Sequence, residues 1–314
     1  MLLRRLVLIL TALAALGSLC AASAAPKAKG VLGRWDLTVG TGEGAAPSWL
    51  EVTESAPGVL QARFCGAFGS AFKVADISSE GKTLRFSLNG PFAEKKNESW
   101  QATLKGKTLT GVTWGERGGE TPWTGKRPPI FKKPKRVKWG EPINLLNGTD
   151  LTGWHLRHPS GKQSWTVING VMTCNNPGND IVTDREFKDF KVHVEYRYPK
   201  ESNSGLYLRG RYEVQINDDS GAAPESHGSG GVYGLITPRV NAAKPAGEWQ
   251  SLDVTLVGNW VTIVANGQTL CEDEEIAGVT GGALNSDEGA PGPFFLQGDH
   301  GPVEIRAFVV TPRA

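Results

Sequence analysis

Cysteine is scarce: the 314 residues contain only Cys20, Cys65, Cys174 and Cys271. None forms a C-x-x-C and none has metal-ligand spacing, which argues against a zinc site. The last three are odd in number, so at least one lacks an intramolecular partner. Cys174 with Cys271 is the better pair, and the alternative is three small buried hydrophobes. Long apolar runs are missing apart from residues 6–19, a stretch shorter than the ~20 residues that span a bilayer. Charge of one sign is missing as well, since a formal net charge of +2 offers nucleic acid no general attraction. No Gly-rich strand-turn-helix fingerprint for a dinucleotide occurs. Strong helical periodicity is rare, while 40 Gly and 19 Pro punctuate the chain. That combination favours an all-β protein with many turns.

Arg4 and Arg5 precede the single apolar run, and Ala22, Ser23 and Ala24 follow it. This is the pattern of an export signal over residues 1–24, with cleavage near Ala25. Leu19 is bulky where a small residue should precede a lipidated cysteine, so Cys20 is not read as a lipid anchor. The expected location is periplasmic or extracellular, with no membrane span.

Residues 31–125 read as one small β domain. Short alternating runs at 33–37, 48–52, 72–74, 83–88, 99–104 and 108–112 are separated by Gly, Asn, Pro and Ser, as in a closed or nearly closed meander. Gly33 and Trp35 at its start, with Trp123 and Arg127 near its end, resemble the lipocalin-type closure in which a late Arg covers an early Trp. Residues 126–142 carry Pro128, Pro129, Pro134 and Pro142 among six Lys and Arg from Arg127 to Lys138, and read as an extended, solvated linker.

The second half, 143–312, is organised around residues 203–218. Leu206, Leu208, Tyr212, Val214 and Ile216 share one parity; Tyr207, Arg209, Arg211, Glu213, Gln215 and Asn217 share the other. Extended chain sends the first set to a core and the second to a row of groups able to orient hydroxyls and carbonyls. Residues 191–198 alternate likewise, with Val192, Val194, Tyr196 and Tyr198 inward and His193, Glu195 and Arg197 outward. Pairing of the two strands through residues 199–204 would gather Glu195, Arg197, Arg209, Glu213 and Gln215 in one groove. The alternative for Glu195 and Arg197 is an ion pair that tiles the sheet.

The run Asn144-Leu145-Leu146-Asn147-Gly148-Thr149-Asp150-Leu151-Thr152-Gly153-Trp154 resembles the opening of the 3-keto-disaccharide hydrolase family. The likeness continues, in the family's order, through Trp165 to Gly170, Glu186 to Phe190, Glu195-Tyr196-Arg197, Asn203-Ser204-Gly205, Tyr212 to Ile216, Gly247-Glu248-Trp249, Asn266-Gly267, Leu296-Gln297 and His300-Gly301. It implies a concanavalin-like jelly roll of two stacked antiparallel sheets. Two departures stand out: Gln297 and His300 are one residue further apart than in the family, and Gln250 replaces the Asn that usually follows the Trp.

For a glycoside already oxidised at C3, the resemblance implies cleavage by removal of the C2 proton and loss of the C1 substituent. Such chemistry needs a base, an electrophile and an acid. His300 or Glu213 is read as base, Arg209 as enolate stabiliser and Glu195 as the second proton-transfer group. Arg197, Tyr207, Gln215, His227 and Gln297 are read as substrate-binding, His227 from a Gly-rich loop at 226–234 whose mobility suits covering a ligand. No dinucleotide site is required, because the oxidation happens elsewhere; a divalent cation held by Glu213, Asp218 and His300 is the alternative electrophile. Two rival functions remain: an ordinary glycosidase using Glu195 and Glu213 as its carboxylate pair, and a non-catalytic carbohydrate-binding module.

Overall fold

The structure is a computed structural model that describes residues 30–88, 98–114 and 119–314. The expected export signal and Cys20 lie outside those residues. The fold is all-β. Among the described residues no helix is long and apolar enough to cross a membrane.

The first nine strands are β1 (Gly33–Val39), β2 (Ala46–Ala56), β3 (Val59–Cys65), β4 (Phe72–Lys73), β5 (Asp76–Glu80), β6 (Thr83–Leu88), β7 (Glu98–Lys105), β8 (Thr108–Trp114) and β9 (Glu120–Lys126). They form one antiparallel sheet in the order β4-β3-β2-β1-β9-β8-β7-β6-β5. Its two ends do not pair, but β5 curls back beside β3, so the meander is nearly closed. Trp35, Phe64, Phe86, Trp100 and Trp123 fill its interior, several in edge-on or tilted contact, the geometry that aromatic quadrupoles favour. The Arg127 guanidinium lies 3.6 Å over the Trp35 ring and donates to the carbonyls of Arg34 and Gly30.

Thirteen further strands follow: β10 (Ile143–Asn144), β11 (Trp154–Leu156), β12 (Trp165–Ile168), β13 (Val171–Cys174), β14 (Ile181–Phe187), β15 (Phe190–Arg197), β16 (Asn203–Leu208), β17 (Tyr212–Asn217), β18 (Gln250–Val257), β19 (Trp260–Ala265), β20 (Gln268–Glu275), β21 (Gly292–Leu296) and β22 (Val303–Pro312). One sheet runs β11-β14-β21-β16-β17; the other runs β12-β13-β22-β15-β18-β19-β20, with β10 added on β22. Leu206, Leu208, Val214 and Ile216 from the first meet Val192, Val194, Val254 and Ile305 from the second in one core. Burying both inner faces against each other is what makes this jelly-roll sandwich.

Two expectations, the cysteine pair and the pairing of residues 191–198 with the next strand, are overturned. Cys174 and Cys271 are free and buried, as is Cys65. The two sit on β13 and β20, with β22, β15, β18 and β19 between them, too far for a disulfide. The linker is extended and none of its residues is buried, and it is tied to the second half where Phe131 packs over Gly258, Lys133 pairs with Asp273 and Gly140 N–H donates to Pro312 O at 2.8 Å. Finally, β15 does not pair with β16. It lies between β18 and β22 in the opposite sheet.

The two halves touch through specific groups. Trp49 Nε1 donates to Val279 O at 2.9 Å, and Gly282 N–H donates to Ala67 O at 2.7 Å. Arg34 pairs with the fully buried Glu288, which also accepts from the Tyr212 hydroxyl at 2.6 Å.

Candidate functional site

The site lies on the outer face of the five-stranded sheet, where Val182, Tyr207 and Phe295 form an apolar patch separate from the core. Residues 203–217 reach this face as a hairpin rather than as one strand. Arg209 and Gly210 both have positive φ, 53° and 64°, and Arg211 N–H donates to Leu208 O at 3.0 Å, a tight reversal between β16 and β17. The register pairs Tyr207 with Glu213 and Gly205 with Gln215. Parity therefore survives the turn, and Tyr207, Glu213 and Gln215 share the outer face.

Glu213 is 3 % exposed. Burial pushes its carboxyl up to about 8, with the nearby Asp180 and Asp299 adding to the effect and Tyr207 and His300 opposing it. The Tyr207 oxygen lies 2.8 Å from both Glu213 Oε2 and Gly281 O. A phenol has one proton and a carbonyl has none, so both contacts are satisfied when Glu213 is the protonated partner: it donates to Tyr207, which donates to Gly281. Burial, the largest effect, and this use of the single phenol proton favour a neutral acid at pH 7, against the lowering that a Tyr207 hydroxyl donating to the carboxylate exerts. On the other side, with the Gln215 amide assigned so that its nitrogen faces inward, that nitrogen donates to Glu213 Oε1 and Ser204 O at 3.2 Å each. Gly205 has to be glycine: a Cβ there would collide with the Glu213 carboxylate.

His300 stands at the rim, half exposed, its Nδ1 bonded to Asp299. That bond holds the imidazole pKa above its ordinary value, and His300 in turn holds the Asp299 carboxyl low. Nδ1 is thereby occupied and Nε2 is the ring nitrogen left for proton exchange. Asp180, 4 % exposed, accepts from Arg157 Nη1 and from Gly298 N–H, each at 3.0 Å, and burial raises its pKa. The Arg157 guanidinium lies 5.1 Å from the Phe295 ring centroid. Gln297 N–H donates to Gly205 O at 3.0 Å, while its Oε1 is buried without a partner.

The loop at 226–234 is not free to open. Gly228 to Gly231 are buried, and the loop bonds along the edge of β17: Gly230 N–H to Gln215 O, Gln215 N–H to Gly231 O, and Tyr233 N–H to Glu213 O. His227 packs edge-on against Tyr233, 4.8 Å between centroids. Tyr233 feels the Glu213 charge, which, after burial, raises its pKa.

The structure thus brings together Tyr207, Glu213, Gln215, Gln297 and His300, with His227 behind Tyr233. It separates the rest. Glu195 and Arg197 lie on the outer face of the opposite sheet, where Glu195 accepts from Arg306 at 2.6 Å and Arg197 pairs with Glu304. They are therefore tiling ion pairs, and Glu195 and Glu213 do not form a glycosidase couple. Arg209 is fully buried; its left-handed turn aims it away from Glu213, toward Tyr212 Oη and Gly258 O at 3.3 and 2.7 Å. Asp218 Oδ2 accepts from Glu201 N–H, and among the described residues no three His, Cys, Asp or Glu side chains gather as a metal group. Arg157, Asp180 and Tyr233 were missed by sequence reasoning. Asp180 had a faint signal, a carboxylate directly before the apolar strand start Ile181.

Residues 141–311 match the family model described as a 3-keto-alpha-glucoside-1,2-lyase-like domain. A curated 3-keto-disaccharide hydrolase from Bacteroides thetaiotaomicron is 24% identical over 41% of this chain and 57% of its own length. The chain thus spans little more than half of that relative. A protein of Parabacteroides distasonis, provisionally assigned as a glycosyl hydrolase, is 27% identical with a TM-score of 0.47, covering 58% of this chain and 93% of its own. The kappa-carrageenase of Pseudoalteromonas carrageenovora has a TM-score of 0.37 at 9% identity, covering 60% of this chain and 99% of its own.

Proposed function

Because the chain belongs to the 3-keto-alpha-glucoside-1,2-lyase-like family, we propose that it cleaves glycosides already oxidised to a ketone at C3. The C2 proton of such a sugar is acidified by the neighbouring carbonyl. His300 takes this proton, and the C–H electron pair moves into an enolate on O3. The enolate then collapses: the C3 carbonyl re-forms, a C1–C2 double bond forms and the C1–O bond breaks. The departing alkoxide takes the Glu213 proton, whose hydrogen bond to Tyr207 is given up as the transfer occurs. Water added across the new double bond gives net hydrolysis; without it the outcome is a lyase reaction. Arg157, at the edge of the same cluster, is the cation assigned to the enolate oxygen.

The observation that supports this reading is Glu213, a carboxylic acid whose pKa burial raises to about 8, near a His–Asp pair. One group holds a proton at neutral pH while the other can accept one, which elimination requires. The test is methyl 3-keto-α-glucoside carrying deuterium at C2. A primary isotope effect on kcat/KM with deuterium lost to water is expected; methanol release with the label retained overturns the proposal. We also propose export of the protein, on the pattern of residues 1–24. The mature N terminus, read by mass spectrometry, is expected near Ala25, and a retained leader counts against it.

A further inference from the structure

On the sheet face that carries Glu213 the two aromatic rings are covered, and Tyr233 on the neighbouring loop is half-buried. Tyr207 and Phe295 are each 1 % exposed and stacked on one another at 3.7 Å. Sites for ring-shaped ligands depend on apolar and aromatic walls as well as on polar groups. The first domain brings an aromatic residue close to this face. Its loop at 66–71, between β3 and β4, is clamped beside the carboxyl from two sides. On one side Gly282 N–H donates to Ala67 O, and a Cβ on Gly281 would stand 2.6 Å from Gly69 N and 2.9 Å from the Phe68 carbonyl carbon. Gly281 is the residue whose carbonyl accepts the Tyr207 proton. On the other side Ser70 packs against Gly234, next to Tyr233, whose hydroxyl responds to both Glu213 and Cys65, the last residue of β3.

From this pinned loop Phe68 projects 66 % exposed, and among the described residues it is the one exposed aromatic. The backbone under it is fixed by the contacts that fix Tyr207. We infer that Phe68, contributed by the first domain, is the platform against which the ring attached at C1 of the substrate packs, so that it sets the preference for a disaccharide over a glycoside with a small aglycone. The inference rests on the proposed keto-glycoside chemistry for the identity of the first ring, and it gives the first domain a part in the site of the second.

The experiment compares trehalose oxidised at C3 of one ring with methyl 3-keto-α-glucoside, using the full chain and its Phe68→Ala and Phe68→Trp variants. Phe68→Ala is expected to lower the ratio of kcat/KM for the disaccharide to that for the methyl glycoside by roughly three- to tenfold, the size of one aromatic contact, and Phe68→Trp to restore it. Calorimetric titration of both sugars into Glu213→Gln, with and without Phe68→Ala, reads the same preference without turnover. An equal ratio in wild type and Phe68→Ala, by rate and by affinity, overturns the platform while leaving the chemistry intact. Loss of disaccharide affinity in Phe68→Ala, with no cleavage of either sugar by wild type, upholds the platform and overturns the chemistry.

Discussion

Tyr207 and Glu213 face each other across the β16–β17 ladder, their side-chain oxygens 2.8 Å apart, and the lone phenol proton is shared with a carbonyl that can only accept. Glu213 is therefore the proton donor of the chain Glu213 to Tyr207 to Gly281. Activity that depends on this proton falls as pH rises through about 8. Glu213→Gln removes the proton and is expected to lower kcat by about 10² to 10⁴ with the fold retained; near-normal turnover would remove Glu213 from the mechanism.

The same group makes stability depend on pH. Its folded pKa lies above its ordinary 4.5, so between about 4.5 and 8 the folded chain holds a proton that the unfolded chain has released. Wild type then loses roughly 1.4 kcal/mol per pH unit across that window relative to Glu213→Gln. Denaturation midpoints of both proteins at pH 5 and 7.5 read the difference. Parallel pH dependences would place the carboxyl in an ordinary, ionised state.

His300 has to be neutral to act as base, and Asp299 holds its pKa above the ordinary histidine range. Activity accordingly rises with pH through that raised value. Asp299→Asn is expected to move the acid limb of kcat/KM to lower pH and to reduce the maximal rate, since the ring loses the partner that orients it. An unmoved limb would assign it to another group.

Gly205 makes room for the Glu213 carboxyl on the opposite strand. Gly205→Ala is expected to cost about 1 to 3 kcal/mol of stability by overpacking and to lower kcat by displacing Glu213. Unchanged kcat would mean that the carboxyl has space to spare.

Glu195, across the sandwich and bonded to Arg306, tests the assignment from the opposite direction. Glu195→Gln should leave kcat/KM within about twofold, because losing a surface ion pair disturbs little. A large loss would return it to the chemistry.

The two-residue period made the faces of residues 192–198 and 206–217 legible, since alternation needs only local chain geometry. It also placed Tyr207, Glu213 and Gln215 together, because Leu208 and Tyr212 pair across the hairpin and so preserve parity. Strand partners were not legible. Residues 199–204 looked like a hairpin turn but instead carry the chain from one sheet to the other, which took Glu195 and Arg197 out of the site. Arg209 fits the alternation by number, yet its positive φ redirects it. Arg157 and Asp180 escaped notice because they stand more than twenty residues before Glu213 in the chain and meet it only through the order β11-β14-β21-β16-β17.

The most direct measurement of the central claim is release of 4-nitrophenol from 4-nitrophenyl α-glucoside and from its 3-keto derivative, by wild type and by Glu213→Gln. Release from the keto form alone, and by wild type alone, is the predicted result. Release from the unoxidised glucoside, or equal release by the two proteins, would contradict proton transfer by Glu213 beside a ketone.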